Sequence, residues 1–116
     1  MRGPRLVAAL ALAAGLLGFM HVALTPLAFA TWTIDALWFA GSGLAIIAAA
    51  GANLIGFHAS DLRRRAALTV INLAMGGFFA AAWLVLPEPQ VIIGGALFFS
   101  LAVATLPLRK VAANAA

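Results

Sequence analysis

Residues 35–56 read DALWFAGSGLAIIAAAGANLIG, a run of membrane-crossing length that also holds an acid, a serine, four glycines and an asparagine. At about 100° per residue, Asp35, Trp38, Ser42, Ala45, Ala49, Ala52, Asn53 and Gly56 gather on roughly one third of a helix. Leu37, Ala40, Leu44, Ile47, Leu54 and Ile55 fall on the other side. The spacing predicts a spanning helix with a bulky lipid side and a small, weakly polar side for close helix packing.

Composition extends that reading to all 116 residues. The chain is 66% hydrophobic and 9% charged, with a mean hydropathy of +1.13. Soluble domains run near half apolar and about a quarter charged. A domain this short buries only about two thirds of its chain surface, so the bilayer is the expected solvent. No cysteine is present, which excludes disulfides and thiolate metal sites. The net charge of +4 reads as charge facing anionic lipid headgroups, and no nucleic-acid partner is expected.

Before the central run, Leu6 to Leu24 carries no formal charge and is long enough for a hydrocarbon core of about 30 Å. Its small face runs Ala11, Ala14, Gly18, His21, Thr25, and Pro26 favours a stop just before it. A secretory signal is the rival reading, because Arg2 and Arg5, the apolar run and Ala28-Phe29-Ala30 share its layout. The run exceeds the usual signal core of about 7–15 residues, and the stripe continues through His21. Retention as the first helix is therefore the expectation. Thr31 or Thr33 is placed to cap the second helix, with Asp35 in its first turn.

After the central run comes FHASDLRRR, the one strongly charged loop, where Ser60 or Asp61 is placed to cap a third helix. That helix carries the stripe Thr69, Asn72, Gly76, Phe79, Ala80 and Trp83. Pro87-Glu88-Pro89 predicts a tight turn into a fourth helix with Gly94, Phe98, Leu101 and Thr105 on one side. The fold class follows: an all-α integral membrane protein, a single antiparallel four-helix bundle. Its helices are expected near 6–24, 35–56, 63–86 and 90–108.

With four spans, Arg2, Arg5, Arg63, Arg64, Arg65, Arg109 and Lys110 all fall at one end. The positive-inside rule makes that end cytoplasmic, predicting a multi-pass inner (plasma) membrane protein with both termini inside. Arg63, Arg64 and Arg65 are the topology-setting cluster of the middle loop. Asp35 and Glu88 fall outside, with Trp32, Trp38 and Trp83 near the outer boundary.

Two constellations remain inside the membrane. Asn53 and Asn72 stand at similar depth on either side of the charged loop, which predicts an interhelical hydrogen bond between two amides in lipid. His21, Asp35, Trp38, Ser42 and Trp83 lie in the outer half, each on its helix's small stripe. They suggest an outward crevice for a small amphipathic or cationic ligand. The competing reading is that His21 and Asp35 satisfy each other while the indoles anchor the boundary. No metal-binding motif, phosphate loop or catalytic triad appears. His21 and His58 stand near opposite surfaces and cannot share one haem iron, so no cofactor is expected. The acid–base inventory predicts a non-enzymatic accessory or structural subunit packing through small-residue faces. The alternative is a small-solute binding or transport protein acting as an oligomer. The expected partners are the bilayer, with anionic headgroups on the cytoplasmic side, and a membrane-protein partner or further copies of the chain.

Overall fold

The computed structural model describes residues 2–58 and 61–107, so Ser60, residue 108, Arg109 and Lys110 lie outside it. Four helices follow in order: α1 (Arg2–Ala28), α2 (Ile34–Gly56), α3 (Leu62–Trp83) and α4 (Pro89–Thr105), with no strand among the described residues. Each start has a local cause. The Thr33 hydroxyl accepts from the Ala36 N–H at 3.2 Å, and the Asp61 carboxylate accepts from the Arg63 N–H at 3.1 Å. Pro89 opens α4, where its missing N–H removes no helical bond.

α1 begins at Arg2, four residues ahead of the expected start near residue 6, and three helix C-termini also differ from the sequence expectation. α1 runs through Pro26 to Ala28. So close to the end, Pro26 withdraws only its own N–H, and the Phe29 N–H still closes on the Thr25 carbonyl at 3.1 Å. α3 stops at Trp83, not near residue 86, because Leu84 and Val85 close tighter three-residue bonds on Ala81 and Ala82 before Pro87. α4 ends at Thr105, since Leu106 precedes Pro107 and turns extended at ψ 134°.

α1 packs along α2 and α3 along α4, giving two antiparallel hairpins. The hairpins meet through α1 and α4 and, least extensively, through α2 and α3; the diagonal pairs do not touch. The start of α1, the end of α2, the start of α3 and the end of α4 therefore share a basic end, and the two other connections share the opposite end. α1, α2 and α3 are long and apolar enough to cross a membrane, and α4 is a shorter apolar helix.

Small residues set how closely each hairpin closes. A Cβ on Gly18 would stand 2.7 Å from the Gly43 carbonyl oxygen, and one on Gly43 would stand 2.8 Å from that of Gly18. The α1–α2 crossing is thus backbone on backbone, flanked by buried Ala11, Ala14, Ala49 and Ala50. The α3–α4 hairpin uses rings instead. Phe79 covers Gly94, Phe99 covers Gly76, and Phe79 stacks on Phe98 at 6.0 Å.

α2 turns a different face inward from the one its sequence suggests. Ala36, Gly43, Ile46, Ala49, Ala50 and Asn53 are buried, whereas Asp35, Trp38 and Ala45 are exposed. The rotation is about one residue, roughly 100° of helix. Its cause is Gly43, which rather than Ser42 meets Gly18 and carries Ile46 into the core. Leu37, Leu44 and Ile55 remain outward.

Candidate functional site

Among the described residues, the buried polar side chains Asn53, Thr69, Asn72 and Thr105 collect toward the basic end of the bundle, on α2, α3 and α4, while Thr25 at the other end of α1 bonds back to the His21 carbonyl. Asn53 and Asn72 are both fully buried. Asn53 Nδ2 donates to Asn72 Oδ1 at 2.7 Å, and Asn72 Nδ2 donates back to Asn53 Oδ1 at 2.8 Å. The second N–H of Asn53 reaches the Ala49 carbonyl at 2.9 Å, and that of Asn72 reaches Thr105 Oγ1 at 3.3 Å. Every amide hydrogen of the pair therefore has an acceptor.

The chain of bonds continues from there. Thr105 donates to its own helix at the Leu101 carbonyl, 2.8 Å away, and stands 3.3 Å from the Thr69 hydroxyl. Thr69 in turn donates to the Arg65 carbonyl at 3.0 Å. The Arg65 guanidinium crosses to the end of α4, where Nη2 donates to the Ala104 carbonyl at 3.3 Å and the Leu106 carbonyl at 3.1 Å. A cation thus meets the carbonyls that a helix end leaves open, at the negative pole of its dipole. No buried side-chain nitrogen or oxygen among the described residues lacks a partner.

Two consequences follow for the arginine cluster and the amides. Arg63 and Arg64 are exposed, but Arg65 is half-buried and serves as a cap for α4. Among the described residues, the Asn53–Asn72 bonds are the only side-chain hydrogen bonds that join one hairpin to the other. Sequence reasoning missed Thr105 and Arg65 as members of this network. Thr69 and Thr105 stood on the packing stripes of their helices, and that was the available signal.

The five residues expected to converge on an outer crevice do not form one. Trp38 is 72% exposed and Asp35 is exposed at the start of α2. Ser42 bonds back to the Phe39 carbonyl at 2.8 Å. Trp83 is 43% exposed at the end of α3. His21 is half-buried, with Nδ1 2.9 Å from the Leu17 carbonyl and its ring stacked on Phe39 at 4.7 Å. The rotation of α2 accounts for this dispersal, because it swings Asp35 and Trp38 away from α1 and α3. It also presents Phe39, not Asp35, to His21. A groove of about 390 Å³ does exist at this end, lined by Val22, Thr25, Pro26, Phe29 and Trp32 among others, but by none of the five.

Chemically, the network offers amides, hydroxyls and one guanidinium already engaged with carbonyls. It suits holding helices in register. No group of three or more His, Asp or Glu among the described residues is placed to hold a metal. No protein-family model, curated protein or solved structure matches the chain.

Proposed function

We propose that this chain is a multi-pass inner-membrane protein with both termini cytoplasmic, acting without chemistry of its own as an accessory or structural subunit. The observation that carries the reading is on the outward side of α2. Gly41, Ala45, Ala48 and Ala52 recur at spacings of four, three and four on the side away from the buried face, and a Cβ on Gly41 would meet nothing within 4 Å. The small residues of the α1–α2 crossing are used inside the bundle, whereas this stripe is free to receive a helix from outside. Close backbone approach along such a stripe is how helices associate where lipid is the solvent. Retention of α1 in the mature protein is supported by Gly18, whose partner is Gly43 of α2.

Co-purification from native membranes tests the subunit role. A protein held in fixed ratio should be lost in Gly41→Leu and Ala48→Leu, with folding stability within about 0.5 kcal/mol of the parent because neither change enters the core. A second copy held through the same face would keep the structural reading and replace the partner. A retained small molecule with no protein would favour the solute-binding alternative instead.

The orientation rests on charge. Arg5, Arg63, Arg64 and Arg65 share one end of the bundle, and Asp35 and Glu88 stand at the other. A periplasm-dependent phosphatase fused after Glu88 should be active, and one fused after Ala116 inactive. The reverse pattern would overturn the assignment.

A further inference from the structure

Where the two hairpins meet along α1 and α4, the surface is indented by a groove of about 510 Å³ lined by Leu6, Leu10, Phe99, Ser100, Val103 and Ala104. Its walls are the first turns of α1 and the last turns of α4, so it lies toward the basic end. Ser100 is its one polar side chain. The groove spans little more than one turn of each helix, and bulky Leu6, Phe99 and Val103 bound it. A packed helix needs a longer seam of small residues. A flexible hydrocarbon chain does not.

Cationic groups stand at the same end. Arg65 is held there by its bond to the carbonyl of Ala104, itself a groove residue. Its Nε and Nη2 hydrogens are engaged with Ala104 and Leu106, and among the described residues the Nη1 hydrogens have no protein acceptor. Arg5 belongs to the first turns of α1, is exposed, and directly precedes the groove residue Leu6. An apolar slot ending at guanidinium groups is complementary to an amphiphile with an anionic head.

We infer that this groove holds one acyl chain of an anionic phospholipid, with its phosphate against Arg65 and Arg5. The inference rests on the membrane placement proposed above, which is tested separately by resistance of the protein to alkaline extraction from membranes. A zwitterionic lipid offers the same chain but sets an ammonium beside these cations, so the headgroup decides the preference.

The test uses the full chain, delipidated in detergent and titrated with dioleoyl phosphatidylglycerol or dioleoyl phosphatidylcholine, with bound lipid counted by native mass spectrometry. Phosphatidylglycerol should bind more than tenfold tighter, and Arg5→Gln should cut that preference by about fivefold. Ser100→Trp fills the groove without touching the hydrogen-bond network and should abolish binding of both lipids. Equal affinity for the two lipids would overturn the proposal, as would full retention of lipid by Ser100→Trp. Glycerol 1-phosphate binding as tightly as the whole lipid would reduce it to a headgroup contact and also overturn it. A change of oligomeric state in Ser100→Trp would assign the groove to a second copy of the chain instead.

Discussion

Gly18→Ala should destabilise the bundle by about 1–3 kcal/mol, and Gly43→Ala by a similar amount. The new methyl would lie 2.7 Å from the Gly43 carbonyl oxygen, against a helix backbone that cannot rotate aside. Relief requires α1 and α2 to separate, which loosens the contacts of Ala11, Ala14, Ala49 and Ala50 along the same seam. The control is one turn away on the same helix. A Cβ on Gly15 would meet the Ala50 Cβ at 3.6 Å, an ordinary contact, so Gly15→Ala should be neutral or gain up to about 1 kcal/mol from helix propensity. An unfolding titration in mixed detergent reads both variants. Equal midpoints for Gly15→Ala and Gly18→Ala would dismiss the backbone crossing.

Asn72→Leu is the second large effect, at about 1–3 kcal/mol. Leucine approximates asparagine in shape, so the loss is polar rather than steric. It strands one N–H and the Oδ1 of Asn53 in a fully buried position and takes a donor from Thr105. Asn53→Leu leaves Asn72 in the same condition. The double variant removes both amides together, and its cost should fall short of the sum of the singles by at least about 0.5 kcal/mol. The attraction itself is modest in lipid, near 0.6 kcal/mol for an average polar pair, so most of the single-variant cost comes from the abandoned partner. Strict additivity in the same titration would show that the amides act separately.

The helices and much of their packing were legible in the sequence, because both depend on short-range spacing. On α1 the stripe through Ala11, Ala14 and Gly18 is the buried one. On α2 two small-residue stripes lie side by side. The one holding Asp35 and Trp38 drew the reading, but the choice between them depends on Gly18 of another helix, which no local pattern of α2 contains. The ends of α1, α3 and α4 depart from the sequence pattern for a related reason. Proline rules give the preference of one residue, whereas the hydrogen bonds of its neighbours decide whether the turn closes. The depth shared by Asn53 and Asn72 could be counted from the loop. That Thr105 and Arg65 extend from them could not, because α4 carries its polar group to that depth only through the α3–α4 packing. The outer constellation of His21, Asp35, Trp38, Ser42 and Trp83 fails for the same cause as the α2 face: one rotation disperses it.

Among the described residues only the two asparagines hydrogen-bond across the hairpins, so the bundle resembles two prefabricated halves and a latch. Each half closes on contacts of its own, Gly18 with Gly43 in one and Phe79 over Gly94 in the other. Each could therefore enter the bilayer as a finished unit in the order of synthesis. Apolar seams such as the one between α1 and α4 tolerate sliding, since one methylene serves nearly as well as the next. A slip of one helical turn, about 5.4 Å, would separate the amides completely and leave four hydrogen-bonding groups facing hydrocarbon. The asparagines thus act as an indexing pin: they add little to the strength of the joint and select the one docking register in which both amides are satisfied.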